Sequence, residues 1–213
     1  MILEMDQSLD KVGSFFADLD KQDYYFYLTE SMHRFIKQRY QRNNIYQKGF
    51  EESVKRSEDL KGVVKSGYIQ GIDTGGSSLH LVDTITTDEA GLTPSTNEYM
   101  FLVKIEGKTD GCKVWNSIDM VQQDDWFSIK KDPFNEPTVN DPKGLFESEG
   151  ILIEPVTSVV KVTYIQNPPS ISDTQDCILS EHTHKEIVQL AVSLVIENIE
   201  SPRVQTHDKS NIE

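Results

Sequence analysis

The sequence predicts an α+β fold: an N-terminal helical hairpin and a C-terminal helix packed together with a small, mainly antiparallel β-sheet region and extended loops. Three observations predict it. Apolar residues recur at a three/four spacing from Tyr24 to Tyr40. Residues 98–107 and 158–166 read as strands with alternating faces, Tyr99, Phe101, Val103 and Ile105 on one side of the first and Val160, Val162 and Tyr164 on one side of the second. A broad apolar run covers 187–199. The first and third carry the helical period and the second the strand period.

In chain order, residues 1–20 read as an N-terminal arm or short helix. Phe15, Phe16 and Leu19 are its anchors, and Gly13 weakens it as a helix. Tyr24, Tyr27, Leu28, Met32, Phe35, Ile36 and Tyr40 then form one apolar stripe. Arg34, Lys37, Arg39 and Arg42 lie off that stripe, toward the C-terminal end where cations suit the helix dipole. Asn43, Asn44 and Gly49 break the helix, and a second one is predicted from Phe50 to Lys65, with Phe50, Val54, Leu60, Val63 and Val64 inward. The short connection makes 22–65 an antiparallel hairpin.

Gly67 to Ser78 reads as a glycine-rich loop, and without GK[ST] it is not a phosphate-binding loop. Glu98 to Gly107 reads as a strand with Leu79 to Thr86 as its partner, joined through a loop marked by Gly91 and Pro94. Asn116 to Asp124 reads as a short helix capped by Asn116 or Ser117. Lys130 to Gly150, with Pro133, Pro137 and Pro142, reads as an extended surface loop. Ile151 to Glu154 and Ser158 to Gln166 read as a strand pair turning at Pro155. The β-region thus spans 79–166. A last helix, 180–200, starts at Ser180 and stops before Pro202. Its apolar surface, Ile187 to Ile199, is too wide for one packing face. The organisation is an arm (1–20), a single α+β domain (21–201) and a polar C-terminal tail (202–213).

Composition narrows the function. The 213 residues carry a formal charge of −14, and the mean hydropathy is −0.47. No run of about 18 apolar residues exists, so no membrane span is expected. Met1 to Asp10 holds three acids and no base, unlike a secretory signal. The two cysteines, Cys112 and Cys177, form no CxxC pair and are expected as free thiols. The charge is uneven: residues 33–65 hold nine Lys/Arg against four Asp/Glu, whereas 66–213 hold ten against twenty-four. That split suggests a basic face docking on an acidic face of a neighbouring copy; the plainer alternative is a pair of solvated helices.

Clusters of His, Cys and acidic residues are where catalytic or metal chemistry would sit. His182 and His184, with Asp176 and Cys177 upstream, make the best metal candidate, but two histidines at i, i+2 diverge on a helix. Asp124–Asp125 and Glu147/Glu149 are the obvious carboxylate groups, and adjacent acids rarely converge on one atom. No GxSxG or comparable nucleophile motif occurs. No catalytic, cofactor or metal residue is assigned, and the chain is expected not to be an enzyme. Trp115, Trp126 and Phe127 read as core or interface anchors.

Three segments carry a resemblance: YYFYLTESMHRFIKQRY followed by GFEESVKRSEDLKGVV; WNSIDMVQQDDWFSIKKDPFNEP followed by VVKVTYIQNPP; and CILSEHTHKEIVQLAVSLVIENIESPRVQTH. In this order they resemble virion structural proteins of crAss-like bacteriophages, specifically the neck ring proteins between portal and tail. The resemblance spans most of the chain and thins at 1–20 and 67–97. It implies a homo-oligomeric ring of twelve copies, contacts with the portal and adjacent neck or tail proteins, and a lumen through which packaged DNA passes without sequence-specific binding. It implies a place in the virion, reached by assembly in the bacterial cytoplasm. Another ring tier or a tail-barrel component would look similar, and the basic helices leave a DNA-contacting assembly factor as the other alternative. Candidate subunit-interface residues are Arg34, Lys37, Arg39, Arg42, Lys55, Arg56, Trp126, Phe127 and Arg203. The arm and the tail are expected to order on docking.

Overall fold

A computed structural model describes residues 1–12, 19–40, 54–91, 98–109, 114–148 and 150–199. In chain order its elements are α1 (Ile2–Val12), α2 (Lys21–Tyr40), α3 (Val54–Leu60), β1 (Val64–Asp73), β2 (Ser78–His80), β3 (Tyr99–Thr109), β4 (Asn116–Ser117), β5 (Asp119–Val121), α4 (Gln123–Lys131), β6 (Lys143–Phe146), β7 (Ile151–Glu154), β8 (Thr157–Gln166) and α5 (Glu181–Ile199). The fold is α+β, with helices and a mixed sheet. Where the sequence suggests one domain over 21–201, the backbone contacts group into two compact units. One comprises 1–63 and 168–213, the other 64–167.

The helical unit is built from α1, α2, α3 and α5. In α2 the three/four stripe buries Leu28, Met32, Phe35 and Ile36. Helix α5 packs against α2 and α1. Ile187, Val188, Ala191, Val192, Leu194 and Val195 are all buried, so its wide apolar surface is covered within its own unit. Each buried Ile, Val or Leu among them contributes about 1.5–3 kcal/mol relative to exposure. The arm expected over 1–20 is a helix over 2–12. Met5 and Leu9, one turn apart, are buried and anchor it. Phe15 and Phe16 lie outside the described residues. In the predicted Phe50–Lys65 helix, only Val54 to Leu60 is described as helical, and Phe50 is outside the described residues. Leu60 and Val63 are buried as expected, but Val54 is 81% exposed. The helix ends in a turn at 61–63, and Val64 already belongs to β1. At that turn a Cβ on Gly62 would lie 2.5 Å from the Ile178 carbonyl oxygen, so glycine permits the approach.

The second unit is a sheet closed on itself. Its strand order is β4-β3-β8-β1-β2-β7-β6-β5. The first and last members are halves of one continuous segment, 116–121. One half pairs with β3 and the other, in parallel, with β6. Ile118 sits between the halves, and its N–H donates to the Ile105 carbonyl at 3.0 Å. The edge strands thus meet in one segment, which removes much of the open edge. The core of this small barrel includes Ile69, Ile105, Ile118, Ile151, Ile153, Val160, Val162 and Tyr164.

Several expectations change here. The predicted loop at 67–78 is mostly strand β1, and the turn is confined to 74–77. Gly75 and Gly76, with φ of +86° and +111°, serve that turn. Gly67 and Gly71 serve close packing instead. A Cβ on Gly67 would overlap Ile85 and come within 2.9 Å of the Thr86 oxygen; one on Gly71 would meet the Thr157 oxygen at 2.5 Å. At Gly71 strand β1 changes partner, pairing with β8 before it and with β2 after it. The expected pairing of 79–86 with 98–107 does not form: β3 pairs with β8, and 82–84 is a 3-10 turn. Residues 116–121 are extended, and the helix expected there starts at Gln123. The expected surface loop 130–150 contains the end of α4 and strand β6. β7 and β8 do not pair with each other across the cis Glu154–Pro155 bond: β7 pairs with β2 and β6, β8 with β1 and β3.

Candidate functional site

The basic residues expected on a contact face divide into two sets. Arg39, Lys55 and Arg56 are committed inside the helical unit. Asp59 is 1% exposed on α3, and it needs partners because an unanswered buried carboxylate is costly. Arg39 Nε lies 2.9 Å from its Oδ2, an ion pair by distance although the N–H is not aimed at the oxygen. His182 Nε2 donates to Asp59 Oδ1 at 2.9 Å. Arg39 also pairs with Glu186 of α5 and stacks on the Phe35 ring at 4.7 Å. Lys55 reaches Glu186 at 3.3 Å, and the 7% exposed Arg56 donates to the Arg39 carbonyl at 3.4 Å. These contacts tie α2, α3 and α5 together.

Arg34 and Lys37 form the other set. Both point to solvent, and Arg34 pairs only loosely with Glu30, at 3.6 Å. They share the outward face of α2 with Phe26, which is 64% exposed. Arg42 and Arg203 lie outside the described residues, as does the tail after 202.

In the sheet unit the two aromatic candidates separate. Trp126 is 8% exposed and carries the Lys130 ammonium 5.1 Å above its ring, so it is an internal anchor. Phe127, its neighbour, is 73% exposed. Phe134, which sequence reasoning passed over, is 95% exposed. A turn beyond α4 presents it: the Asp132 carboxylate accepts from the Phe134 N–H at 3.0 Å and from Asn135 Nδ2 at 2.5 Å. Those bonds hold the Asp132 carboxyl below its ordinary range. The signal for Phe134 was available in the sequence: a lone phenylalanine between two prolines in a polar stretch. Phe146 on β6 is half exposed, and its carbonyl accepts from Gln123 at the start of α4. It also lines an open groove of about 190 Å³ with Leu102, Lys104, Ile118 and Met120.

The His, Cys and acidic clusters resolve into local bonding. His182 and His184 turn to different partners, Asp59 and the Leu179 carbonyl. Among the described residues no group of three or more His, Cys, Asp or Glu side chains could hold a metal. Cys177 and His184 share a cleft of about 540 Å³ in the helical unit. The Cys177 thiol contacts Met32 Sδ at 3.7 Å, and burial pushes its pKa up, away from thiolate chemistry. Asp124 and Asp125 are exposed in the first turn of α4, where they suit the dipole. Glu147 is exposed; Glu149 lies outside the described residues.

One polar node was not read from the sequence at all. Ser78 and His80 point into the barrel and are fully buried. His80 Nδ1–H donates to the Ile69 carbonyl at 3.4 Å, so Nε2 accepts from Ser78 Oγ at 3.0 Å. Ser78 Oγ in turn accepts from the Thr157 N–H at 3.0 Å. Burial lowers the His80 pKa from 6.5 to about 4, which keeps it neutral at pH 7. A Ser–His pair sealed from solvent cannot meet a substrate; it fastens the corner where β1 changes partner.

Among the described residues no helix is long and apolar enough to cross a membrane. Comparison with protein-family models and with curated proteins finds no match.

Proposed function

We propose that the chain is a structural subunit of a tailed-bacteriophage virion. It forms a homo-oligomeric ring of twelve copies in the neck, joins the portal to the next neck or tail protein, and extends the DNA channel. The exposure of Phe127 and Phe134 carries the assembly part. Two phenyl rings held in water by an ordered helix and turn are a standing cost, and burial by another protein removes it. The neck position rests on the three segments resembling crAss-like phage ring proteins.

The tail-barrel alternative shares the assembly chemistry and differs only in tier. The DNA-contacting alternative is less well supported. Arg39 and Arg56 are consumed by Asp59, Glu186 and a backbone carbonyl, which leaves Arg34 and Lys37 as the exposed bases of the described part of α2's second half. Mass spectrometry of purified virions, with copy number measured against the portal, tests the proposal. A ratio near one to one is expected. Absence from mature particles, or a single copy per particle, would sink it. Salt-sensitive binding of duplex DNA by the purified chain would favour the alternative.

A further inference from the structure

Helix α1 is held to the helical unit by a narrow seam. It packs against α5, and among its described residues only Met5 and Leu9 are buried. Tyr24 Oη donates to Asp6 Oδ1 at 2.7 Å. A cleft of about 540 Å³ opens at its first turn, where Ile2 and Leu3 face Tyr25 and Leu28. A second, of about 270 Å³, runs between Ser8 and Lys11 of α1 and Lys185 and Gln189 of α5. Water thus reaches the seam from the end and from the side. The helix has eleven residues, too few to persist alone in water, so it is helical because it has a seat. That seat makes the same contacts whichever copy supplies the helix. Eight residues separate α1 from α2. Extended, they reach about 30 Å, roughly the length of α2.

We infer that α1 is an exchange arm: in the assembled form each copy seats its α1 on α5 of the next copy. The inference rests on the assembly reading above and names the element that makes the joint. A second copy is the partner because its seat is the one α1 already fits, with Met5 and Leu9 against α5 and Asp6 at Tyr24. Exchange gives up none of these contacts, which makes it a low-cost route to association. Each copy gives one arm and receives one, so the joint repeats head to tail until the ring closes. Once a neighbour is held nearby, the effective concentration of its seat rivals that of the chain's own.

Crosslinking of the full chain tests it. Ser8 and Gln189 line the same cleft from α1 and α5. A chain with Ser8→Cys and Gln189→Cys, and with Cys112→Ser and Cys177→Ser, is treated with a short bismaleimide. It is treated once when dilute and once as the associated fraction from sedimentation velocity. The dilute chain should link internally and run as a monomer on a denaturing gel. The associated chain should give a ladder of covalent multimers. Chains carrying only one of the two new cysteines, mixed in equal amounts and associated, should give dimers joined from residue 8 to residue 189. If the serines unsettle the fold, as read by circular dichroism, the same 8-to-189 peptides are sought by mass spectrometry in chains retaining Cys112 and Cys177. An associated chain that links only internally, and single-cysteine chains that do not join, overturn the exchange while the assembly reading stands. A dilute chain that does not link internally overturns the seat itself. A wild-type chain that remains monomeric at every concentration overturns both the exchange and the assembly reading.

Discussion

In the helical unit the buried carboxylate of Asp59 is answered by Arg39 and His182, which still reach solvent at 20% and 53% of their surface. In the sheet unit the buried polar centre, His80, is answered by Ser78 and backbone groups, and Ser78 and His80 reach no solvent. The difference follows from enclosure. Helices packed side by side leave grooves through which a long arginine keeps part of its hydration, so an ion pair there escapes the full desolvation penalty. A closed barrel has no such grooves, and a charge inside it would be far more costly than a neutral hydrogen-bonded chain. The basic residues that look like an interface in the sequence are therefore partly internal struts, and the sheet unit's polar core is neutral.

Both tryptophans lie in the sheet unit, so fluorescence follows that unit while helical ellipticity at 222 nm mainly follows the other. This separation makes the comparison testable. The largest effect is expected from Gly71→Val. The added carbons would collide with the Thr157 oxygen and the His80 ring, costing more than about 3 kcal/mol. Fluorescence should report a strongly destabilised sheet unit while most helical signal persists. Loss of both signals together would mean the units do not fold separately. Asp59→Ala comes next, at about 3 kcal/mol, because Arg39 and His182 lose their shared anion. It should lower the helical transition and leave the fluorescence transition in place.

Acid is a milder probe of the neutral centre. The folded His80 pKa, about 4, lies below the unfolded value of 6.5, so between these values the unfolded chain binds more protons. The stabilisation is complete above about pH 6.5 and is lost as pH falls toward 4. At pH 5 the loss relative to pH 7.5 is about 2 kcal/mol for this group. Urea titrations at the two pH values measure it. His80→Gln should flatten the pH dependence of the fluorescence transition, even if the variant is weaker overall. An unchanged slope would refute the assignment of that slope to His80. The smallest effect is expected from Lys37→Glu. It should change the stability of either unit by less than about 0.5 kcal/mol, as measured by thermal melts, because the side chain is exposed.

The helices were the most legible part of the chain. The stripe of α2 and the broad apolar run of α5 are periodic over many residues, and the burial of Leu28, Phe35, Ile187 and Val195 follows that period. The alternation in β3 and β8 was also legible. The partners were not: β3 pairs with β8, far along the chain, because no local signal says which strand edge will meet another. Gly67 and Gly71 misled for a related reason. Glycine marks either a turn or a close approach, and only the Ile85 and Thr157 neighbours tell which. Of the candidate site, Phe127, Arg34 and Lys37 stay on the surface, whereas Trp126, Arg39 and Arg56 turn inward, since exposure depends on what packs nearby.

By itself, then, the sequence determined the α+β class, the long helices, the strand-forming segments and the uneven charge. These depend on residue type and spacing along the chain, which local backbone geometry translates directly. The tertiary structure alone decided that segment 116–121 closes the sheet and that β1 switches partners at Gly71. It also decided that Arg39 serves Asp59, and that Phe134 remains in water. Each of these turns on distances between residues far apart in the chain, and such distances exist only once the polymer has folded.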